Sequence, residues 1–451
     1  MSLVLKPYPE YKDSGLPWLD KIPSHWDGKR AKYFFREVDE RSSTGQEEML
    51  SVSHITGVTP RSQKNVTMFE AESNVNHKLC HAGDLVINTM WAWMAALGVA
   101  KQNGMVSPSY AVYRPISSKI FADGYIDHLL RTESYATEYL CRSTGIHSSR
   151  LRLYPEEFLE IPIICPPCSE QLQMLAFLDF EDRHIRRYIR AKQKLIKLLE
   201  EQKQVIIHQA VTRGLDPSVP LKPSGVEWIG GDIPAHWAVR QLKTLCSMQS
   251  GDAITSTSIE LTGDYPVYGG NGVRGYASGY THDGNFVLIG RQGALCGNVH
   301  IAQGRFWASE HAVVASLKPT HVLEWFGAIL TVMNLNQYSI AAAQPGLSVG
   351  RVLNLWLPVP PQQEQSSIAE YIKRETIDII KVIERTSCEV SLLKEYRNRL
   401  ISDVITGKLD VRGLELPVTS NEAAELDDWS EGDLPEMEEM MAAEEVADEA
   451  D

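Results

Sequence analysis

PPCSEQLQMLAFLDFEDRHIRRYIRAKQKLIKLLEEQKQVIIHQAVTRGLD, residues 166–216, returns as PPQQEQSSIAEYIKRETIDIIKVIERTSCEVSLLKEYRNRLISDVITGKLD at residues 360–410, at a constant offset of 194 with no gap. One inserted residue in a helix would rotate every later side chain by about 100°. A gapless echo of this length therefore predicts two continuous helices. Each opens on Pro-Pro, tolerated in a first turn where the missing N–H has no partner to lose. Each stops near a glycine, Gly214 or Gly407, suited to a helix C-terminus.

Apolar periodicity gives each helix a seam. Leu178, Ile185, Leu199 and Ile206 recur at multiples of seven, and Ile372, Ile379, Leu393 and Leu400 fill the same slots of the second copy. Polar residues break the stripe at matched places: Asp182, Lys192 and Lys203 in one copy, Thr376, Thr386 and Arg397 in the other. Two readings are open for them, register-setting interruptions of a paired seam or long side chains that snorkel at its rim. A helix of about 45 residues is about 65 Å long and cannot stand alone in water with such a stripe. The simplest partner is the other copy, lying antiparallel as a rigid rod.

A second phrase is also written twice, KDSGLPWLDKIPSHW at residues 12–26 and KPSGVEWIGGDIPAHW at residues 222–237. Between phrase and helix lies, each time, a segment of mixed character. DLVINTM (84–90), YAVYRPI (110–116), NFVLIG (285–290) and HAVVASL (311–317) read as strands bounded by turn residues. Residues 125–142 and 322–339 read as helices placed late in each segment. The fold class is α+β: two globular mixed α/β domains separated by two long helices forming an antiparallel coiled coil, with a pseudo-twofold repeat. The divisions fall at 1–161, 162–216, 217–357, 358–413 and 414–451. His25-Trp26 and His236-Trp237, duplicated with the phrase, read as a packed element at each domain entrance rather than as catalytic groups.

Composition excludes several classes. Of 451 residues 43% are hydrophobic, yet runs such as WMAALGVA (93–100) fall short of the roughly 18 residues of a spanning helix. With no secretory pattern at the N-terminus and seven scattered cysteines, the expectation is a cytoplasmic protein with free thiols. The net charge of −14 comes from the end of the chain, since residues 421–451 hold 14 acidic and no basic residues. That tail is expected to be a disordered, solvated appendage, with a mimic of DNA charge as the alternative reading. The body is neutral, with 44 basic groups in all and as many acidic ones outside the tail.

The phrase SG..W......IP.HW twice, PP..EQ twice, then PVYGGNG, VLIGRQG, FWASEHAVV and ITGKLDVR in order, resembles the specificity subunit of Type I restriction-modification enzymes from residue 6 to about 413. The resemblance implies that each globular segment is a target recognition domain reading one half of a bipartite site on double-stranded DNA. It implies that the helices are spacers docking two methyltransferase subunits, and that restriction/translocase subunits complete the complex. S-adenosylmethionine, ATP and Mg are then expected on partner subunits, with no cofactor on this chain. No methyltransferase or nucleotide-binding motif occurs in the sequence. A neutral body predicts weak DNA binding by the chain alone, because phosphate contacts dominate affinity.

Base reading needs paired donors and acceptors on loops that can enter a groove, above all Arg for guanine and Asn or Gln for adenine. In the second domain YGGNGVRGY offers Asn271 and Arg274, and GRQG offers Arg291 and Gln292, with glycines that permit close approach. The first domain offers Asn88, Trp91, Trp93, Ser107, Ser109 and Tyr110, with Arg150 and Arg152 as phosphate contacts. Trp91 and Trp93 alternate as strand residues would, so that one faces a core. CPPC (165–168) has redox spacing, but its counterpart replaces the cysteines with Val359 and Gln362. HKLCH (77–81) lacks a second ligand pair, and TGKLD (406–410) lacks the glycine-rich loop of a phosphate cradle. Two rivals stand beside DNA recognition: a coiled-coil scaffold whose globular ends bind proteins, and a stand-alone enzyme using Cys165.

Overall fold

The computed structural model describes residues 5–63, 74–117, 119–145, 151–293, 295–339, 346–414 and 416. The acidic tail and Arg150 lie outside the described residues. Contacts gather the chain into two units, one of Met1–Arg187 with Leu393–Asp451, the other of Tyr188–Leu392. The divisions thus fall inside the two long helices, Cys168–Arg213 and Gln362–Ile405, each starting just after its Pro-Pro pair.

The first unit carries an antiparallel four-stranded sheet in the order Phe35–Val38, Ala111–Pro115, Leu85–Ile87, Leu97–Val99. The stretch expected as one helix over 125–142 is two, Tyr125–Leu130 and Glu133–Arg142. The break falls at Thr132, whose hydroxyl donates to the Leu129 carbonyl at 2.8 Å, the local competition that makes threonine a poor helix-interior residue. The second unit carries a six-stranded sheet, Cys246–Ser250, Ala312–Leu317, His282–Gly290, Val299–Ala308, Tyr265–Gly269, Gly272–Ala277 in spatial order. Neighbours run antiparallel except Tyr265–Gly269 beside Val299–Ala308. Its core packs Trp325, Phe326, Ile329 and Leu330 from the helix Leu323–Val332 against the sheet, joined by Ala210, Val211 and Ile368 of the long helices.

Within each unit the lengths of the two long helices run in opposite directions. In the first, Trp26 touches both Glu170 and the backbone at Gly407, while Arg397 donates to Asp182 further along. In the second, Trp237 touches both Glu364 and Gly214, while Lys192 pairs with Glu389. Leu178, Ile185 and Leu400 are buried, whereas Leu199, Ile206, Ile372, Ile379 and Leu393 are half-buried. Within each unit two helices that pair on their own leave their flanks open to solvent. The polar interruptions divide by chemistry. Asp182 and Lys192 find opposite charges on the facing helix, while the buried Thr376 and Thr386 return their hydroxyls to Ile372 and Val382 of their own helix at 2.8 and 2.7 Å.

The duplicated phrase explains itself at the root of each helix. Glu170, buried in the first turn, accepts from the Trp26 indole at 3.0 Å and from the Tyr8 hydroxyl, and lies 2.8 Å from His25 Nε2. Glu364 accepts from Trp237 at 3.0 Å and lies 2.8 Å from His236 Nε2. The next residue, Gln171 or Gln365, takes the N–H of Ala122 or Val322 at 2.8 or 2.9 Å and donates to the Pro166 or Pro360 carbonyl at 2.9 Å. Lys12 and Lys222 donate to the carbonyls of Trp26 and Trp237. The HW of the phrase and the EQ of the helix are two halves of one clasp that fixes each domain to its helix end.

The clasp also presses on the helix C-terminus. Gly407 has φ +81°, and a Cβ there would lie 2.5 Å from Pro23 Cδ and 2.8 Å from the Trp26 ring. Gly413 has a similar φ of +75° with nothing within 4 Å. Gly407→Ala should therefore cost about 2–4 kcal/mol, strain plus overlap, against about 1 kcal/mol for Gly413→Ala. Chemical denaturation of the full chain checks this, and equal losses would contradict it.

Candidate nucleic-acid interface

In the second unit the strands Tyr265–Gly269 and Gly272–Ala277 turn at Gly270-Asn271, with Gly272 at φ +95°. The turn lies against the end of the strand His282–Gly290: a Cβ on Gly290 would come within 2.1 Å of the Gly270 carbonyl. A Cβ on Gly270 would stand 3.1 Å from the Gln292 carbonyl and 3.7 Å from that of His311. Only glycine permits this crossing. The turn that carries Asn271, with Arg274 on the strand that leaves it, and the stretch that carries Arg291 and Gln292 thereby lie side by side.

Three residues that composition and motif did not single out complete the rim. Asn298 donates to the Asn271 side-chain carbonyl at 2.7 Å. His311 Nδ1 lies 3.0 Å from Gln292 Oε1, and its Nε2 lies 3.4 Å from the Glu310 carboxylate. The stretch FWASEHAVV held Glu310 and His311 in plain sight, but nothing in it says that the sheet returns them beside Gln292. Asn271, Arg274, Gln292 and Asn298 are exposed. Arg291 is half-buried; its backbone donates to His311 O at 2.8 Å and accepts from Leu347 N at 2.9 Å. Its guanidinium has no acceptor among the described residues. Beneath the turn sits His300, whose partial burial lowers its pKa. The rim is rich in donors, glycine-lined and open, and can take an acceptor-bearing edge.

The candidates of the first unit are arranged differently. Asn88 is buried, its amide donating to the Tyr110 hydroxyl at 3.4 Å and its carbonyl accepting from Met90 N at 3.3 Å. Tyr110 is half-buried, which raises its pKa. Ser107 and Ser109 pair through their hydroxyls at 3.3 Å. Trp91 and Trp93 do not lie on a strand. They flank and enter a single 3-10 turn, Ala92–Met94, both half-buried, with rings stacked 6.3 Å apart at 17°. A 3-10 turn sets residues two apart about 120° from each other around its axis, and the two rings meet at its edge. Arg152 exchanges backbone hydrogen bonds of 3.0 Å with Thr144.

The remaining motifs are accounted for locally. Burial pushes the Cys165 thiol up to about 11, the reverse of an activated redox thiol, and Cys168 opens the long helix. His77 faces the Asn74 carbonyl at 2.8 Å and His81 faces Glu40 at 3.2 Å, while Cys80 is buried elsewhere, so HKLCH disperses its three side chains.

The loops of this sheet converge as a polar rim on a unit clasped to its helix. Residues 234–387 match the family described as Type I restriction modification DNA specificity domain. The chain is 41% identical over 170 residues to the type I restriction enzyme EcoprrI specificity subunit of Escherichia coli, covering 37% of this chain and 41% of that one. It is 28% identical over 155 residues to a putative type I restriction enzyme specificity subunit of Haemophilus influenzae, covering 34% and 38%. Each alignment thus spans about two fifths of the relative's length. A solved structure described as the structural basis of complex assembly and conformational transition of the type I R-M system shares the fold, with a TM-score of 0.59 at 16% identity over 86% of this chain and 99% of that one. Residues 234–387 thus carry the DNA specificity domain of the type I restriction-modification family, and the chain is similar to specificity subunits of that family over the aligned stretches. Among the described residues no helix is long and apolar enough to cross a membrane.

Proposed function

We propose that the chain is the non-catalytic, sequence-reading subunit of a cytoplasmic type I restriction-modification complex, each unit reading one half of a bipartite site on double-stranded DNA. In this reading the long helices form an antiparallel coiled coil, the units are related by a pseudo-twofold repeat, and two methyltransferase subunits dock on the helices. Methyl transfer with S-adenosylmethionine, and ATP- and Mg-dependent restriction, belong to the methyltransferase and translocase partners. The observation that carries the proposal is the rim of the second unit, where Asn271, Arg274, Arg291 and Gln292 converge inside the matched specificity domain.

The test is the methylation motif that the full chain, co-expressed with its modification subunits, writes on the genome of a methylation-free host. A split motif is expected. Arg291→Ala should lower discrimination at one base pair of one half only, by about 1–3 kcal/mol. Equal loss in both halves would assign Arg291 a structural role. Absence of any sequence-defined motif would favour the protein-binding scaffold instead.

A further inference from the structure

The side-chain amides of the second unit's rim are not free to turn. An unpaired Asn or Gln can present either its carbonyl or its amino edge, and so reads donors and acceptors with little preference. Here Asn298 donates to the Asn271 carbonyl at 2.7 Å, and His311 Nδ1 engages the Gln292 carbonyl at 3.0 Å. Each contact occupies the carbonyl edge of the outer amide and leaves its amino edge for another partner. Arg291, next to Gln292 in the chain, carries donors alone, and its side chain meets no acceptor among the described residues. Three donor groups, the two amide amino groups and the Arg291 guanidinium, are then left for a ligand. A bidentate adenine contact needs an amide that gives one hydrogen bond and accepts another, whereas guanine offers two acceptors, O6 and N7, to an all-donor set.

We propose, resting on the DNA-reading function above, that the second unit reads guanine, and that Asn298 and His311 are positioning residues that set the hydrogen-bond polarity of Asn271 and Gln292. Neither touches the base in this scheme. In this scheme His311 Nδ1 carries the hydrogen that the Gln292 carbonyl accepts.

Asn298 gives the sharper test, because its side chain can be made acceptor-only without changing shape. Asn298→Asp forces Asn271 to turn its amino group inward and its carbonyl outward. The methylation motif written by the full chain with its modification subunits is mapped for wild type, Asn298→Ala, Asn298→Asp, His311→Ala and His311→Asn. Wild type should place guanine in the half-site that Arg291→Ala disturbs, and replacing that guanine with 7-deazaguanine in a duplex should weaken methylation about tenfold or more. Asn298→Ala should relax choice at one base pair by about tenfold. Asn298→Asp should shift it toward a base that presents a donor, adenine or cytosine. His311→Ala should relax a second base pair, and His311→Asn, which keeps a donor near Nδ1, should restore it. A merely structural role would lower methylation of all sequences together and leave the choice unchanged, which overturns the inference. So would a half-site without guanine. If wild type writes no motif at all, the DNA-reading function itself fails, an outcome distinct from a motif that the Asn298 and His311 variants leave intact.

Discussion

Glu170→Ala should destabilise the first unit by about 2–5 kcal/mol, because it leaves two buried donors without an acceptor. The Trp26 indole is 0% and Tyr8 only 3% exposed, and both donate to the same carboxylate, which is itself 3% exposed. Trp26, Tyr8 and Glu170 are almost closed to solvent, so most of the desolvation cost of both donors is felt. The matched change in the second unit, Glu364→Ala, should cost less, about 1–2 kcal/mol. Its carboxylate has a side-chain exposure of 26% against 4% for Glu170, and it serves Trp237 and His236 with no tyrosine. Denaturant unfolding of the full chain, followed separately at peptides of each clasp by hydrogen exchange, measures both. Opening confined to Tyr8–Trp26 and the root of the first long helix is expected for Glu170→Ala. A loss no greater than that of Glu364→Ala would refute the account of the clasp.

That asymmetry shows where sequence reading reaches and where it stops. The long helices were legible because a helix tolerates no insertion, so a gapless echo carries its own proof. The apolar period and its matched polar breaks were visible in the sequence as a pattern. Which break pairs with which did not follow, since Asp182 and Arg397 belong to different slots of the repeat and meet only because the helices run oppositely. His-Trp and Glu-Gln could be seen as duplicated, but their meeting is a tertiary fact over 144 residues. The rim was half visible for the same reason. Glycines mark Asn271 and Gln292 as loop residues, while Asn298 and His311 reach them through a sheet order that includes a parallel pair between Tyr265–Gly269 and Val299–Ala308. Local sequence holds no signal for that pairing. Trp91 and Trp93 fit an alternating strand equally well by pattern, and the 3-10 turn prevails because Ala95 adopts a left-handed conformation, φ 58°, that closes it.

Replacing Leu195 and Leu198 together by aspartate should abolish methylation of all target sequences while leaving the fold intact. Tyr188, Leu195, Leu198 and Val205 of the first long helix are 62%, 43%, 52% and 53% exposed. At about 100° per residue they fall within an arc of roughly 100°, one continuous apolar stripe along the part of the helix that belongs to the second unit. Leu199 and Ile206, on the seam, are more covered, so the stripe is not the face turned to the other long helix. Water against such a stripe is costly, and a surface of this kind marks a partner's seat. On the proposed function the occupant is a methyltransferase subunit. Two buried charges at its centre should weaken the complex about 100-fold or more, since central apolar contacts each contribute about 2 kcal/mol or more to an interface. Co-purification with the modification subunit reads this directly, and helical content by circular dichroism should be unchanged because both positions face solvent in the free chain. A complex of undiminished affinity would remove this stripe from the docking surface, and methylation that survives the double change would show that the catalytic partner is seated elsewhere.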